Sequence, residues 1–197
     1  MERLKTKDLW CSYVQSNELN EKLLPEYIAE SWEYCMKHSV NPYSKQGIER
    51  ISEFDLQIKK DELSFLIRTV QNEIRRLNEF FYIKKPLFIL TDNKGVVLWR
   101  EGHHETRHLA NDIHFSEGSV WTEKAVGTNA IGIALRTLES VTVEKFQHFS
   151  EASHPFTCSS TPILDGNNQV IACLNVSTME SFSETNYTLF ALKMIAK

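Results

Sequence analysis

At 197 residues the chain has room for one domain with an extension, or for two small domains, and for a real hydrophobic core. Its net charge of −4 provides no global field to attract nucleic acid. No apolar run approaches the ~20 residues of a membrane span, and the start is too polar for a signal peptide. The four cysteines, Cys11, Cys35, Cys158 and Cys173, are far apart and form no CxxC. That pattern argues for reduced thiols in a cytoplasmic protein and against a zinc site, and only weakly against a disulfide.

Residues 1–81 read as helical. Leu9 to Val14 makes at best a short amphipathic piece. Pro25 suits a first helical position, Ile28, Trp32 and Cys35 then fall on one face, and Asn41-Pro42 closes the segment. The next helix is the most regular. Leu63, Ile67, Val70, Ile74, Leu77 and Phe81 form an a/d seam. It can pack on the chain's own helices or pair with a second copy, and a homodimer is the expectation. A boundary near residue 84 then separates a helical leader (1–84), with its dimerisation helix, from a sheet domain (85–197).

After Pro86 the texture changes. Leu87–Leu90 and Val96–Trp99 flank Thr91-Asp92-Asn93-Lys94-Gly95, the pattern of a β-hairpin. His103, His104, His108 and His114 follow. His104 and His108 are four apart, but no third ligand stands at metalloprotease spacing, so no metal is expected.

Ser116 to Leu135 is the stretch around which the chain is organised. Ile131, Ala134, Leu135 and Leu138 make one apolar stripe of a helix. Thr128 is its expected N-cap, with Gly127 before it free to take an unusual backbone angle. Such a helix start aims free N–H groups at whatever lies ahead, an anion or a carbonyl if that space is a pocket. The plain alternative is a turn leading into a core helix. GTNAIG is not a phosphate loop, because Ile133 and Ala134 stand where Lys and Ser/Thr are required.

Beyond it, Glu139 to Val143 reads as a strand and Phe146 to Ser153 as a short helix or loop. Phe156 to Leu164 and Gln169 to Ser177 are strands joined by an Asp165-Gly166-Asn167-Asn168 turn. Ser181 and Glu184 have capping-box spacing for a last helix. Its stripe is Tyr187, Phe190, Ala191 and Met194, with Leu189, Leu192 and Ile195 beside it. That helix runs to Lys197 with no stop signal, so the native chain is expected to continue. Hairpins with helices on a face make an α+β fold with an antiparallel sheet. Inward residues of the last two strands would wall a cavity with the Thr128 turn at its mouth.

Trp121-Thr122-Glu123, GTNAIGIAL, His148-Phe149, FTCSSTPI and LNVST together resemble the N-terminal GAF sensor domain of bacterial sigma-54-dependent activators. The regulators of acetoin and glycerol metabolism are the nearest group. The leader, with Ile28, Ser31-Trp32, Cys35 and Val40-Asn41-Pro42, is similar too, so the resemblance covers most of residues 25–178. The chain departs from the family pattern at Tyr34, Gln147 and Phe156, where Arg, Glu and Trp are usual. A ligand known from relatives therefore does not transfer automatically.

The resemblance implies a GAF-like domain that binds a small-molecule effector and biases an attached ATPase. Sigma-54 RNA polymerase and DNA would be reached only through modules outside this chain, and no cofactor is implied. The expected ligand contacts are Trp121, Gly127, Thr128, Asn129, Phe149, Phe156, Thr157, Cys158 and Asn175. Two rival functions stand beside this one. One is a ligand-free dimerisation module. The other is a thiol reductase of GAF type using Cys158 and Cys173, which would need an exposed thiolate of low pKa.

Overall fold

In a computed structural model, the described residues are 2–17, 23–45, 47, 49–77, 85–180 and 185–196. They form the helices α1 (Glu2–Ser16), α2 (Glu26–Lys37), α3 (Glu53–Glu62) and α4 (Ser64–Leu77), then the hairpin β1 (Leu87–Asp92) and β2 (Val97–Gly102). Next come α5 (His104–Asp112), α6 (Glu123–Val126), α7 (Ala130–Thr137), β3 (Val141–Glu144), β4 (Thr157–Leu164), β5 (Val170–Thr178) and α8 (Thr185–Ile195). The five strands make one sheet of order β2-β1-β5-β4-β3, and every pairing is antiparallel. The fold is therefore α+β, as the alternation of the sequence implies.

Strand register sorts the side chains onto two faces, because residues directly opposite one another share a face. Ile89, Asn175, Ser160 and Val141 stand in one row across β1, β5, β4 and β3, and Leu87, Ser177, Cys158 and Val143 in the next. This face is covered by α7 and by the leader. The opposite face carries Phe88, Leu90, Leu174, Val176, Ala172 and Ile163, and is covered by Val70 and Ile74 of α4 and by Leu192 and Ile195 of α8.

Several sequence expectations change on contact with this architecture. The seam is interrupted, because Leu63 is the C-cap of α3 rather than part of one long helix. Val70 and Ile74 are buried against the chain's own sheet, so those seam positions are not a free dimer face. The side chain of Leu77 and all of Phe81 lie outside the described residues, as do the 84/85 boundary, Ser181 and Glu184. The first segment is a full helix, α1, that buries Trp10 and Tyr13. Trp10 and Tyr13 share a core cluster with Ile28, Trp32 and Cys35 of α2 and with Leu87 and Ile89 of the sheet.

In α8 the buried stripe is Thr188, Leu192 and Ile195, while Phe190 and Met194 are exposed; the side chain of Tyr187 lies outside the described residues. Leu138 is not part of the core stripe of α7. It forms the left-handed C-cap and is half exposed.

Candidate functional site

The central stretch folds into two capped helices set close together. Thr122 caps α6 by accepting from the Ala125 amide, and Asn129 caps α7 by accepting from the Gly132 amide at 2.9 Å. The N-cap of α7 is thus Asn129 and not Thr128. The Asn129 amide also donates to the Gly127 carbonyl at 2.8 Å, which closes the turn on itself. Gly127 has φ +81°, and a Cβ there would sit 3.1 Å from Cβ of Phe149, so glycine is needed for both angle and space. At Gly132 a Cβ would meet the Glu123 amide nitrogen at 2.7 Å, which is how α7 approaches the start of α6. Arg136 reaches back to the buried Glu123 carboxylate at 2.8 Å and fixes the pair.

Thr128 turns the other way, toward the leader. Its Oγ1 accepts from the Ser31 hydroxyl at 2.7 Å, and the Cys35 Sγ lies 3.6 Å away. The leader holds the 147–149 loop as well: Trp32 Nε1 donates to the Gln147 carbonyl at 2.7 Å and Trp10 Nε1 to the Phe149 carbonyl at 2.9 Å. Both loops that flank the sheet's polar rows are therefore fastened by α1 and α2.

Ahead of α7 lies a hollow. Asn129, Ala130 and Ile131 form its helix side, Cys158 and Asn175 its sheet side, and Trp121, Phe115, His148 and Phe156 most of the rest. It leaves only about 10 Å³ for the centre of a water-sized sphere, the least that holds one water. Five expected contacts, Trp121, Asn129, Phe156, Cys158 and Asn175, meet there. The other four stand elsewhere. Gly127 and Phe149 pack on each other behind the turn, and Thr128 is engaged by the leader. Thr157, next to Cys158 on an alternating strand, points to the opposite face, in line with Ser159 and Val176.

His148, Ile113, Phe115 and Ser153 also border the hollow and were not among the expected contacts. The His148-Phe149 pair was the available signal. His148 is buried, and desolvation pushes its pKa from the ordinary 6.5 down to about 3, so the ring is neutral. Nδ1 donates to the Lys145 carbonyl at 3.0 Å, which leaves Nε2 as an acceptor. Asn175 accepts from the Ser160 hydroxyl and donates to Ser177 Oγ, both at 2.9 Å. Its amide still has a hydrogen and a lone pair to offer. The described lining side chains carry no charge and suit hydroxyl or carbonyl groups, with the buried Lys145 ammonium, held by the Pro155 carbonyl, close enough to act on His148 and Cys158.

The cysteines are spread through this region without forming a pair. Cys158 lies opposite Ser177 and Cys173 opposite Pro162, so the two are offset along the sheet. Burial pushes their thiols up, to about 11 and about 12, and Cys35 to about 12. That is the reverse of what a reactive thiolate needs. His104 and His108 project from the exposed face of α5.

A five-stranded antiparallel sheet with helices on both faces and polar groups under its central helix defines a GAF-like sensor fold. No protein-family profile matches the chain. It is similar to the acetoin dehydrogenase operon transcriptional activator AcoR of Bacillus subtilis, at 36% identity over 85% of the chain and 28% of that protein. It also resembles the acetoin catabolism regulatory protein of Cupriavidus necator, at 24% identity over 85% of the chain and 25% of that protein. The glycerol metabolism operon regulatory protein of Citrobacter freundii matches at 23% identity. The chain thus spans about a quarter of the length of these relatives.

In structure it superposes on the E. coli DhaR(N)-DhaL complex chain with a TM-score of 0.79 at 17% identity, over 87% of this chain and 60% of that one. The chain fits the N-terminal sensor domain of a sigma-54-dependent activator of the acetoin- and glycerol-regulator type. It is a sensory regulatory domain. Among the described residues no helix is long and apolar enough to cross a membrane.

Proposed function

We propose that the domain senses a small, uncharged, oxygen-bearing metabolite in the hollow ahead of α7 and passes the event to a downstream ATPase. The carrying observation is the set of uncharged polar residues, His148, Asn129, Asn175 and Cys158, that three separate parts of the chain bring to the lining of one small hollow. The names of these relatives, and of an Escherichia coli dihydroxyacetone kinase operon regulatory protein that is 24% identical over 73% of the chain, point to acetoin, glycerol or dihydroxyacetone as the chemistry to try first. At about 10 Å³ the hollow has no room for such a metabolite as it stands, so binding draws on a more open form. If the open form is 1% of the population, the apparent affinity falls about a hundredfold, and the ligand in return shifts the balance.

In this reading the domain is cytoplasmic and not an enzyme, and it works as a homodimer. Sigma-54 RNA polymerase and DNA are engaged only by modules outside these residues. The buried, protonated thiols support the non-enzymatic reading.

The small volume also favours a second reading, in which the core stays empty and a protein partner supplies the signal. Calorimetry with acetoin, glycerol and dihydroxyacetone decides between them. Saturable binding that Asn175→Ala abolishes supports the sensor reading. Silence with all three at millimolar concentration favours the protein-partner reading.

A further inference from the structure

A second, roomier space lies on the far side of Trp121. The loop after α2 crosses above the 150–153 turn and is fastened there by several bonds. The Glu151 amide donates to the Pro42 carbonyl at 2.8 Å, and the Ser150 hydroxyl donates to the Ser44 carbonyl at 3.0 Å. The Gly47 amide donates to the Ile113 carbonyl at 3.0 Å. Between this strap and α6 a cleft leaves about 230 Å³ for the centres of water-sized spheres, against about 10 Å³ in the central hollow. Val40, Ile113, Trp121 and Val126 give it an apolar floor, and Asn41, Ser39 and Ser153 a hydroxyl and amide rim.

Charge narrows what would fit. Lys124 borders the cleft, is exposed, and has no ion pair among the described residues. No Asp or Glu is among the described lining residues. The neighbouring acid, Glu123, is turned away and held by Arg136. An ammonium with no carboxylate to answer it, beside a floor built from an indole and aliphatic side chains, matches a small monocarboxylate with an apolar body.

We infer that the cleft between the 39–45 strap and α6 is a second ligand site, for a small apolar-bodied carboxylate. Trp121 is its wall and Lys124 its counter-charge. The site needs no opening of the central hollow, since it is already accessible. Trp121, Ile113 and Ser153 border both spaces, so a ligand in the cleft presses on the wall of the hollow.

Calorimetry with phenylacetate and with its neutral counterpart phenylacetamide tests the inference. Phenylacetate should bind, Lys124→Gln should weaken it about tenfold, and phenylacetamide should bind the unaltered protein about as weakly as phenylacetate binds that variant. Ala152→Phe, which fills the cleft, should abolish binding while Lys94→Gln, which removes an exposed charge in the β1–β2 turn, leaves it unchanged. Binding that is indifferent to Lys124→Gln overturns the inference, as does binding lost in Asn175→Ala but kept in Ala152→Phe. No heat from phenylacetate at millimolar concentration overturns it too, and leaves the reading of the central hollow standing on its own test.

Discussion

The two faces of the sheet are made by the same strands and yet do different work. On the α4/α8 face, Phe88, Leu90, Leu174 and Val176 interlock with Val70, Ile74, Leu192 and Ile195 in an apolar cluster, and hydroxyls of that face, Thr142, Thr157, Ser159 and Thr178, stand toward its β3–β4 end. On the leader face the same strands present Asn175, Ser160, Ser177 and Cys158, each with a hydrogen-bond partner. Two leader tryptophans spend their indole N–H groups on loop carbonyls there. An apolar face gains stability from area and fit. A buried polar face gains little net energy from its bonds but punishes each one left unmade. One face therefore reads as scaffold and the other as the responsive surface, and each can be tested without touching the other.

The scaffold should show the largest effect. Leu174 is fully buried between the sheet and the α4/α8 pair. Leu174→Ala should cost about 3 kcal/mol, or roughly 6–12 °C in Tm, by chemical and thermal unfolding. Ligand affinity below the transition should not move. An affinity that falls in step with stability would show that the faces are coupled and the division is wrong.

Next in size is the acid response of the leader face. Folding holds His148 at about 3 against an ordinary 6.5, so below 6.5 the unfolded chain binds a proton that the folded one refuses. The stability is whole above pH 6.5 and is lost as pH falls toward 3. Between pH 7 and pH 5 the loss from this group should be about 2 kcal/mol. His154, lowered by its own burial, adds in the same direction. The slope of unfolding free energy against pH should be shallower in His148→Phe; an unchanged slope would place the sensitivity elsewhere.

A smaller effect tests the leader's grip. Ser31→Ala removes the donor to Thr128 Oγ1 and leaves that hydroxyl only the Cys35 thiol at 3.6 Å. The expected cost is about 1 kcal/mol in unfolding experiments. The amides of residues 127–129 should also exchange faster, since α2 is what holds that turn. Protection unaltered at those amides would show that the turn is held from the sheet side alone.

What could be read from the sequence follows the same division. The strands and their turns were legible because apolar runs and turn residues are local signals. Leu87–Leu90, for instance, extends only to Asp92. Helices, by contrast, were expected on one face of the sheet, and the cover of the second face by α4 was not foreseen. The seam was legible as a period but not as a destination: Val70 and Ile74 would look the same facing a second copy as facing the sheet. The α7 cap was misplaced by one residue, because Thr128 and Asn129 are both good caps. Only Ser31, nearly a hundred positions away, shows why Thr128 is engaged elsewhere. The second cleft was invisible, since its walls come from residues 38–44 and Gly47, α6, and the 150–153 turn.

Thr157 carries the smallest and most discriminating expectation. Its sequence neighbourhood, the TCS run, makes it look like a ligand contact, and strand alternation sends it to the opposite face from Cys158. There it is fully buried, and its hydroxyl has no hydrogen-bond partner among the described residues. An unmet buried hydroxyl costs stability that a methyl of the same shape does not. Thr157→Val should therefore raise the unfolding free energy, by up to about 1 kcal/mol, where almost any other core substitution lowers it. Ligand binding in the hollow should be untouched. A variant less stable than the parent would mean that the hydroxyl is satisfied by an ordered water. A variant that loses ligand while keeping its stability would put the binding surface on the α8 side of the sheet, and the assignment of the two faces would have to be exchanged.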